Sequence, residues 1–346
     1  RKRRVAAEGA GGAAAARAPP TSKEARPNPL LVGIASLLSL SLLLLGLAVP
    51  WWLLRDDAPA ATQGAVGAEP AVYGYRLVQR YHHDPEAFTQ GLLWANGSLY
   101  ESTGLYRRSS VREIRLGEEG AAEVVRQVRL DDAHFGEGLV HRSGELLQLL
   151  WRRPDVLRFS ARAGPGGHLE RLPGELRTPL KDGWGLEAHG GALLATDSGP
   201  DVFHLDPETF ALRRAVRVMD GTRVVEMINE LEVVDGELWA NVYGTECLAR
   251  VDPDSGAVRG WVVLQGLLDR RAAGAQAKAA GRAAPDVLNG IAWDAARRRL
   301  FVTGKLWPAL FEIEVVPAPA IGLEAARSLC IPAENLFRPS AGRGGN

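Results

Sequence analysis

Five segments of the chain repeat one short pattern. Each begins with a polar or aromatic residue, continues with a small or acidic residue and a Leu or Ile, and passes through a turn into a second apolar run. The shared aliphatic residues are Leu92, Leu139, Leu186, Leu231 and Ile291, at spacings of 47, 47, 45 and 60 residues. Turn residues such as Asn96-Gly97 between apolar runs indicate β-hairpins. The chain is therefore built around five similar hairpins.

Further β-prone runs follow most of these hairpins, so that one repeat holds about four strands, which is typical of a β-propeller blade. We therefore predict an all-β fold, a five-bladed β-propeller over residues 73–346, with Tyr75 to Tyr81 as the outer strand that closes the last blade. The long fourth spacing contains an Ala- and Gly-rich insertion, Ala272 to Ala284, which we expect to be looped out. A β-sandwich does not need this period, and an open solenoid needs atypical capping repeats, which the sequence lacks.

The segment from Leu30 to Leu54 is apolar for 25 residues, apart from scattered Gly, Ser and Pro. A bilayer span needs ~20 such residues, so we predict a single N-terminal transmembrane helix over residues 30–54. Trp51 and Trp52 lie at its far end, where aromatic side chains favour the membrane interface. The alternative is a cleaved signal peptide, but the run is long for one, and no clear small-residue cleavage site precedes Trp51.

Basic residues are concentrated before this span. Residues 1–29 lack apolar periodicity and are predicted to be a disordered basic tail, which the positive-inside bias places in the cytoplasm. Residues 55–72 are rich in Ala, Gly and Pro and are predicted to be a linker. We therefore expect a single-pass type II membrane protein of the secretory pathway, with the propeller in a lumen or outside the cell.

Net charge, cysteine content and a glycosylation sequon indicate which partners and modifications to expect. The formal net charge is zero, which gives no electrostatic reason to expect nucleic acid as a partner. Cys247 and Cys330 form either one disulfide or two buried thiols, and the sequence leaves both possibilities open. Asn96-Gly97-Ser98 is the only Asn-x-Ser/Thr sequon, so a lumenal domain is expected to carry a glycan on Asn96.

The first position of each repeat carries the residues of greatest chemical interest. Because the first strand of every blade lines the central channel of a propeller, equivalent positions form a ring. Two residues before the shared aliphatic position, this ring holds Gln90, Glu137, Trp184, Asn229 and Asn289. An ordinary structural ring would hold small or apolar residues, whereas this one holds amides, one carboxylate and an indole.

A second set follows at the end of the second strand, where three repeats hold Trp151, Tyr243 and Lys305. A hairpin returns to the end at which it began, so this set should lie above the ring. Together the two sets predict a cup with aromatic walls for a small polar ligand that carries an amine and an amide. Each residue alone is more simply a core, turn or surface residue, and only their equivalent placement favours function. Scattered His and Cys residues make a catalytic zinc site unexpected.

Eight short motifs, FTQGL, ESTGLY, FGEGL, DGWGL, NELE, GELWAN, NGIAWD and TGKLWP, together resemble the plant and bacterial type of glutaminyl-peptide cyclotransferase. This resemblance covers roughly Tyr75 to Pro332. It implies a five-bladed propeller that acts on peptides or proteins with an N-terminal glutamine, converting that residue to pyroglutamate with release of ammonia. It also implies that no cofactor or catalytic metal is needed, and it leaves a structural calcium ion open.

The resemblance also implies a set of active-site residues. The family's positions match Phe88, Gln90, Phe135, Glu137, Trp151, Trp184, Asn229 and Lys305. Tyr243 stands where the family usually has Trp, which leaves an aromatic wall in place but puts substrate affinity in question. We expect Glu137 to act as acid and base, and Lys305, Asn229 or Gln90 to bind the oxyanion. Asn289 is expected among the substrate-binding residues because it belongs to the ring.

Two other functions remain as alternatives. One is a non-catalytic propeller that captures small ligands or peptide termini. The other is a propeller lactonase or a similar hydrolase, which would need several metal-binding carboxylates around the channel. The ring holds a single carboxylate, so the lactonase ranks last.

Overall fold

The structure is a computed structural model that describes residues 69–162, 169–174 and 176–332. The predicted tail (1–29) and transmembrane helix (30–54) lie outside these residues, as does most of the predicted linker (55–72). The linker is shorter at its end than expected, because residues 71 and 72 already belong to the first strand, β1 (Ala71–His82).

The first three repeats each form an antiparallel sheet whose strands pair in sequence order. The first sheet contains β2 (Thr89–Ala95), β3 (Ser98–Thr103), β4 (Ser110–Leu116) and β5 (Ala122–Arg129). The second contains β6 (Gly136–Arg142), β7 (Glu145–Leu150) and β8 (Arg153–Ser160), with the two-residue strands β9 (Glu170–Arg171) and β10 (Leu176–Arg177) on β8. The third contains β11 (Leu186–His189), β12 (Ala192–Thr196), β13 (Asp201–Leu205) and β14 (Leu212–Arg217).

The last two repeats share one eight-stranded sheet. A small hairpin precedes them, formed by β15 (Met219–Asp220) and β16 (Arg223–Val224). The fourth repeat supplies β17 (Ile228–Val234), β18 (Glu237–Val242), β19 (Cys247–Val251) and β20 (Val258–Val263), and the fifth supplies β21 (Leu288–Asp294), β22 (Arg299–Gly304) and β23 (Ala309–Pro317).

The N-terminal strand completes the fifth repeat. β1 pairs antiparallel with β23 from residue 73 to residue 82, as predicted for Tyr75 to Tyr81. Its first residues also pair in parallel with β20 of the fourth repeat, which was not foreseen and which joins the two repeats into one sheet. The first and the last described strands of the β domain are thus held together.

Among the described residues, the hydrophobic core consists of five clusters, and each is shared by two neighbouring repeats. One example contains Leu139 and Leu146 of the second repeat packed against Leu93 and Tyr100 of the first. The last cluster brings Phe301 of the fifth repeat against the first repeat. We call the first strands of the five repeats, β2, β6, β11, β17 and β21, the inner strands. Each inner strand contacts the next one in chain order, and β21 contacts β2.

Glycine allows the inner strands to approach this closely. A Cβ atom on Gly138 would lie 2.5 Å from the carbonyl oxygen of Trp184, to which the Gly138 amide donates a hydrogen bond of 2.6 Å. Gly91 and Gly185 hold the equivalent positions, and their Cβ atoms would also meet the backbone of the next inner strand. The fourth repeat has Glu230 instead, and its buried carboxylate accepts the amides of Leu92 (3.1 Å) and Ile291 (2.9 Å).

In the described part of the chain, two α-helices lie outside the repeats. The insertion that we expected to be looped out overlaps with α1 (Arg270–Ala279). Alanine favours helix, and Asp269 caps the first turn of α1 by accepting the Ala272 amide at 2.9 Å. A second helix, α2 (Leu323–Cys330), was not predicted. Its Arg327 pairs with Asp220, and a disulfide joins Cys330 to Cys247. Neither helix of the described part is both long and apolar enough to span a membrane.

We predict that Gly138→Ala lowers the melting temperature. The new methyl group would meet backbone atoms of Trp184 and Leu186, which no side-chain rotation can relieve. Overpacking of this kind costs ~1–3 kcal/mol, and ~1 kcal/mol shifts the melting temperature of a domain of this size by ~2–4 °C. Thermal unfolding followed by circular dichroism measures the change.

Gly274→Ala in α1 is the matched control, because a Cβ there meets no atom within 4 Å. Alanine is favoured over glycine in a helix by ~1 kcal/mol, so this variant should melt at or above the wild-type temperature. Equal melting temperatures for Gly138→Ala and wild type would contradict the close packing of the inner strands.

Candidate active site

A cavity of about 220 Å³ lies where the inner strands begin. Its lining residues are Phe88, Gln90, Phe135, Glu137, Trp151, Trp184, Asn229, Tyr243 and Lys305. Each of these was singled out from the sequence. The structure therefore brings together residues that are separated by more than two hundred positions in the chain.

The lining divides into two layers. Gln90, Glu137, Asn229 and Lys305 are each at most 4% exposed, and we call them the polar floor. The aromatic residues Phe88, Phe135, Trp151, Trp184 and Tyr243 are partly exposed, and we call them the aromatic wall. A ligand in this cavity would thus meet apolar rings on its sides and hydrogen-bonding groups at its base.

The repeat explains why the two sets of side chains meet. The Trp151 amide donates to the carbonyl oxygen of Phe135 at 3.0 Å, two residues before Glu137. Tyr243 and Lys305 make the same bond to residues 227 and 287, at 2.9 Å in both cases. The end of each second strand is therefore fixed beside the start of its first strand. Trp184 differs from the other ring residues in its position, because it lies two residues before β11 and not inside a first strand.

Glu137 is held on both its backbone and its side chain. The Gln90 amide nitrogen Nε2 donates to Glu137 Oε1 at 3.0 Å. The Ser102 hydroxyl donates to the Glu137 carbonyl oxygen at 2.5 Å, and Gln148 Nε2 donates in turn to Ser102 at 2.6 Å. Burial raises the pKa of Glu137 well above 4.5, against the opposing field of Lys305 and with a further contribution from Asp182.

Lys305 is the cation of the polar floor. Its Nζ lies 5.0 Å from the centre of the Phe88 ring and 5.1 Å from that of Tyr243, so two rings of the aromatic wall face the ammonium group. Burial lowers the pKa of Lys305 to about 8, although Glu137 and Asp286 act to raise it. Burial therefore raises the pKa of the carboxyl group of the floor and lowers that of its ammonium group.

The two asparagines of the ring have different surroundings. Asn229 lines the cavity, and its buried Oδ1 has no hydrogen-bond partner among the described residues, which leaves it open to a ligand donor. Asn289 was expected to touch the ligand as well, but it does not line the cavity. Its Nδ2 donates to the Thr89 carbonyl oxygen at 3.0 Å and lies 3.4 Å from Gln90 Oε1. Asn289 therefore supports Gln90 from behind.

Two residues near the cavity were not identified from the sequence. Asp182 affects the pKa of Glu137, and its buried Oδ1 has no hydrogen-bond partner in the described part of the chain. Tyr106 stacks edge-on against Phe135. Both residues belong to motifs quoted above, DGWGL and ESTGLY, but neither occupies the position that defines the ring. Comparison of the repeats therefore gave no reason to place these two residues near the cavity.

The remaining predicted site residue, Asn96, is exposed in the turn between β2 and β3, at the opposite end of the hairpin from Gln90. Among residues 69–332, apart from the undescribed positions, no group of three or more His, Cys, Asp or Glu side chains could hold a metal ion. The chemistry available to the described site is that of a buried floor with one carboxyl group, one amine and two amides.

Comparison with known proteins identifies similar chains. A family model described as glutamine cyclotransferase matches residues 52–315. A curated glutaminyl-peptide cyclotransferase of Arabidopsis thaliana is 39% identical over 249 residues, which span 70% of this chain and 72% of that protein. The crystal structure of Myxococcus xanthus glutaminyl cyclase superposes with a TM-score of 0.60 at 33% identity, covering 72% of this chain and all of the other.

Proposed function

The chain belongs to the glutamine cyclotransferase family, and we propose that it converts the N-terminal glutamine of peptides or proteins to pyroglutamate with release of ammonia. We further propose that Glu137 carries the proton in this reaction. The observation that carries the proposal is the polar floor, where one carboxyl group of raised pKa faces a lysine of lowered pKa inside an aromatic wall.

We propose that the five repeats are the five blades of a β-propeller. Support comes from the five clusters that join neighbouring repeats and from the return of β21 to β2. The cavity then lies at one end of the central channel, where the first strand of every blade begins. This location explains why the floor is supplied by several repeats.

The reaction begins with a neutral α-amine. Free α-amines titrate near ~7.7–8, so a useful fraction is neutral at physiological pH. The amine nitrogen attacks the side-chain amide carbon of the same glutamine, which forms the new C–N bond of the five-membered ring. The aromatic wall holds the glutamine in the folded conformation that this attack requires, which reduces the entropic part of the barrier.

Glu137 acts twice in this scheme. Its carboxylate accepts the proton that the attacking amine loses, and the resulting acid donates that proton to the leaving nitrogen, so that ammonia departs as the old C–N bond breaks. A raised pKa favours both steps, because the group must gain and lose a proton near neutral pH. Gln90 keeps the carboxyl group in place through its bond to Oε1.

The oxyanion that develops on the amide oxygen needs donors on the polar floor. Lys305 is the only cation of that floor, and we propose that it supplies the main donor. Asn229, with its open Oδ1, is placed to accept an N–H of the substrate. We propose that the reaction needs no metal or other cofactor, because the floor offers a single carboxyl group where a metal site needs several ligands.

The direct test is to incubate the purified protein with a peptide that begins with Gln, with and without a chelator, and to follow the loss of ammonia by mass spectrometry. We expect equal conversion in both conditions. A peptide that begins with Asn should not react, because its shorter side chain cannot close the same ring. Binding of the Gln peptide without conversion would favour a ligand-capturing propeller instead.

We predict that Glu137→Gln lowers kcat by ~10²–10⁴-fold, the usual contribution of general acid–base catalysis. KM should change little, because the wall and the amides provide the binding. The melting temperature should hold or rise, since a buried charge is costly to desolvate. The control is Glu123→Gln, which changes an exposed carboxylate on β5 and should leave kcat unchanged. A Glu137→Gln enzyme within a few-fold of wild type would exclude Glu137 as the proton carrier.

A second prediction concerns pH. Lys305 must be protonated to stabilise the oxyanion, so kcat should fall as the pH rises through the Lys305 pKa of about 8. Lys305→Arg keeps its charge to a pH above ~12, so the variant should lose this alkaline fall even if its kcat is lower. The measurement is kcat from below to above neutrality for both proteins. An alkaline fall that stays at the same pH in the variant would assign it to another group.

We also propose that residues 30–54 anchor the protein in a membrane of the secretory pathway, with the β domain lumenal or extracellular and a glycan on Asn96. The disulfide between Cys247 and Cys330 supports an oxidising compartment. Detergent, but not carbonate, should release the protein from membranes. Release by carbonate would contradict the anchor.

A glycosidase should shift the electrophoretic mobility of the protein, and Asn96→Gln should abolish the shift while retaining turnover.

A further inference from the structure

An exposed tyrosine extends the aromatic wall beyond the cavity. The Tyr106 ring centre lies 5.5 Å from that of Phe135 and 6.4 Å from that of Trp151, and both of these residues line the cavity. Tyr106 itself is 49% exposed, more than any other large hydrophobic residue described. It therefore forms a ledge at the mouth of the cavity, continuous with the wall.

The backbone holds this ledge in an unusual conformation. Leu105 and Arg107, on either side of Tyr106, both have positive φ angles, of 81° and 66°. Such angles are unfavourable for residues other than glycine and are maintained only where surrounding contacts impose them. Here the Leu105 carbonyl oxygen accepts the amides of Arg108 (3.0 Å) and Ser109 (2.9 Å), and the Arg107 amide donates to the Asp132 carbonyl oxygen at 3.1 Å.

Packing beneath the segment is equally specific. We call residues 104–109 the strap. A Cβ atom on Gly104 would collide with the Phe135 ring, so glycine lets the strap and the aromatic wall touch directly. Ser109 Oγ donates to the Leu105 carbonyl oxygen at 2.8 Å and accepts the Gly136 amide at 3.0 Å. The strap that carries Tyr106 is thus tied to the residue that precedes Glu137. The half-exposed Tyr106 ring is therefore held in a fixed position relative to Glu137 on the polar floor.

The size of the cavity determines what can reach this ledge. Its volume of about 220 Å³ is below the ~300–1,000 Å³ of pockets that enclose drug-sized ligands, so it takes one residue rather than a peptide. With glutamine enclosed, the rest of the substrate must leave through the mouth. The second residue of the substrate is then the first group outside the cavity, beside the two lining rings, Phe135 and Trp151, that Tyr106 contacts.

We propose that Tyr106 forms a subsite for the side chain of the second substrate residue, and that this subsite favours aromatic and large apolar side chains. The proposal rests on the proposed function for its choice of ligand. The neighbouring Trp151 is less available, because the guanidinium carbon of Arg152 lies over its ring at 4.4 Å from the centre. Tyr106 is therefore the exposed ring against which a side chain can pack.

The test compares two peptides that differ only in their second residue, Gln-Phe and Gln-Gly, with the full-length protein. Wild type should have a kcat/KM for the Phe peptide roughly 2- to 10-fold higher, which is the usual range for one aromatic pair. Tyr106→Ala should bring this ratio close to one, and Tyr106→Phe should keep it because the ring is retained. Leu77→Ala removes an equally exposed apolar side chain on β1 and should leave the ratio unchanged.

Calorimetric binding of the same peptides to Glu137→Gln, with and without Tyr106→Ala, separates the subsite from the chemistry. A Kd ratio that favours the Phe peptide and is lost with Tyr106 supports the subsite. If wild type then converts neither peptide, the proposed function fails while the subsite stands. Conversion of both peptides with equal kcat/KM and equal Kd would overturn the subsite alone. A loss in Tyr106→Ala that is equal for both peptides would also overturn it, by showing a purely structural role.

Discussion

The site depends on the backbone contact between neighbouring inner strands. Glycine at residues 91, 138 and 185 lets each strand approach the next more closely than any side chain would allow. The residue before each glycine lies in or just before an inner strand and lines the cavity. Gln90, Glu137 and Trp184 occupy these positions. One repeated packing requirement thereby places the chemistry of three repeats in a single cavity.

Burial outweighs charge pairing on the polar floor. The field of Lys305 favours the ionised form of Glu137, and that of Glu137 favours the ionised form of Lys305, yet the pKa of the first is raised and that of the second is lowered. Desolvation therefore decides both directions. The carboxylate of an exposed ion pair of the same composition would be a weaker base than Glu137. In the proposed mechanism, the aromatic wall shields the floor from solvent as well as binding the substrate.

The sequence predicted most of this site because the fold is repetitive. Equivalent positions in a repeat become neighbours in space, so a pattern of residues such as Gln90 and Glu137 already implies a ring. The same reasoning placed Asn289 beside the ligand, but its amide turns back to the Thr89 carbonyl oxygen, a contact that depends on local strand geometry. Features outside the repeat carried no such information. The pairing of Cys247 with Cys330 and the helix α2 depend on contacts between distant segments that no periodicity records.

In the proposed mechanism, the ionisation of Glu137 links the packing of the inner strands to catalysis, and it can be observed directly. Infrared difference spectra between wild type and Glu137→Gln, recorded across a pH titration, isolate the carboxyl band of this one residue. We expect the band of the protonated acid to persist well above pH 4.5, because burial raises the pKa of Glu137. A Glu137 carboxyl group that titrates at or below the ordinary glutamate pKa would contradict its desolvation by burial and, with it, the proposed proton-carrying role.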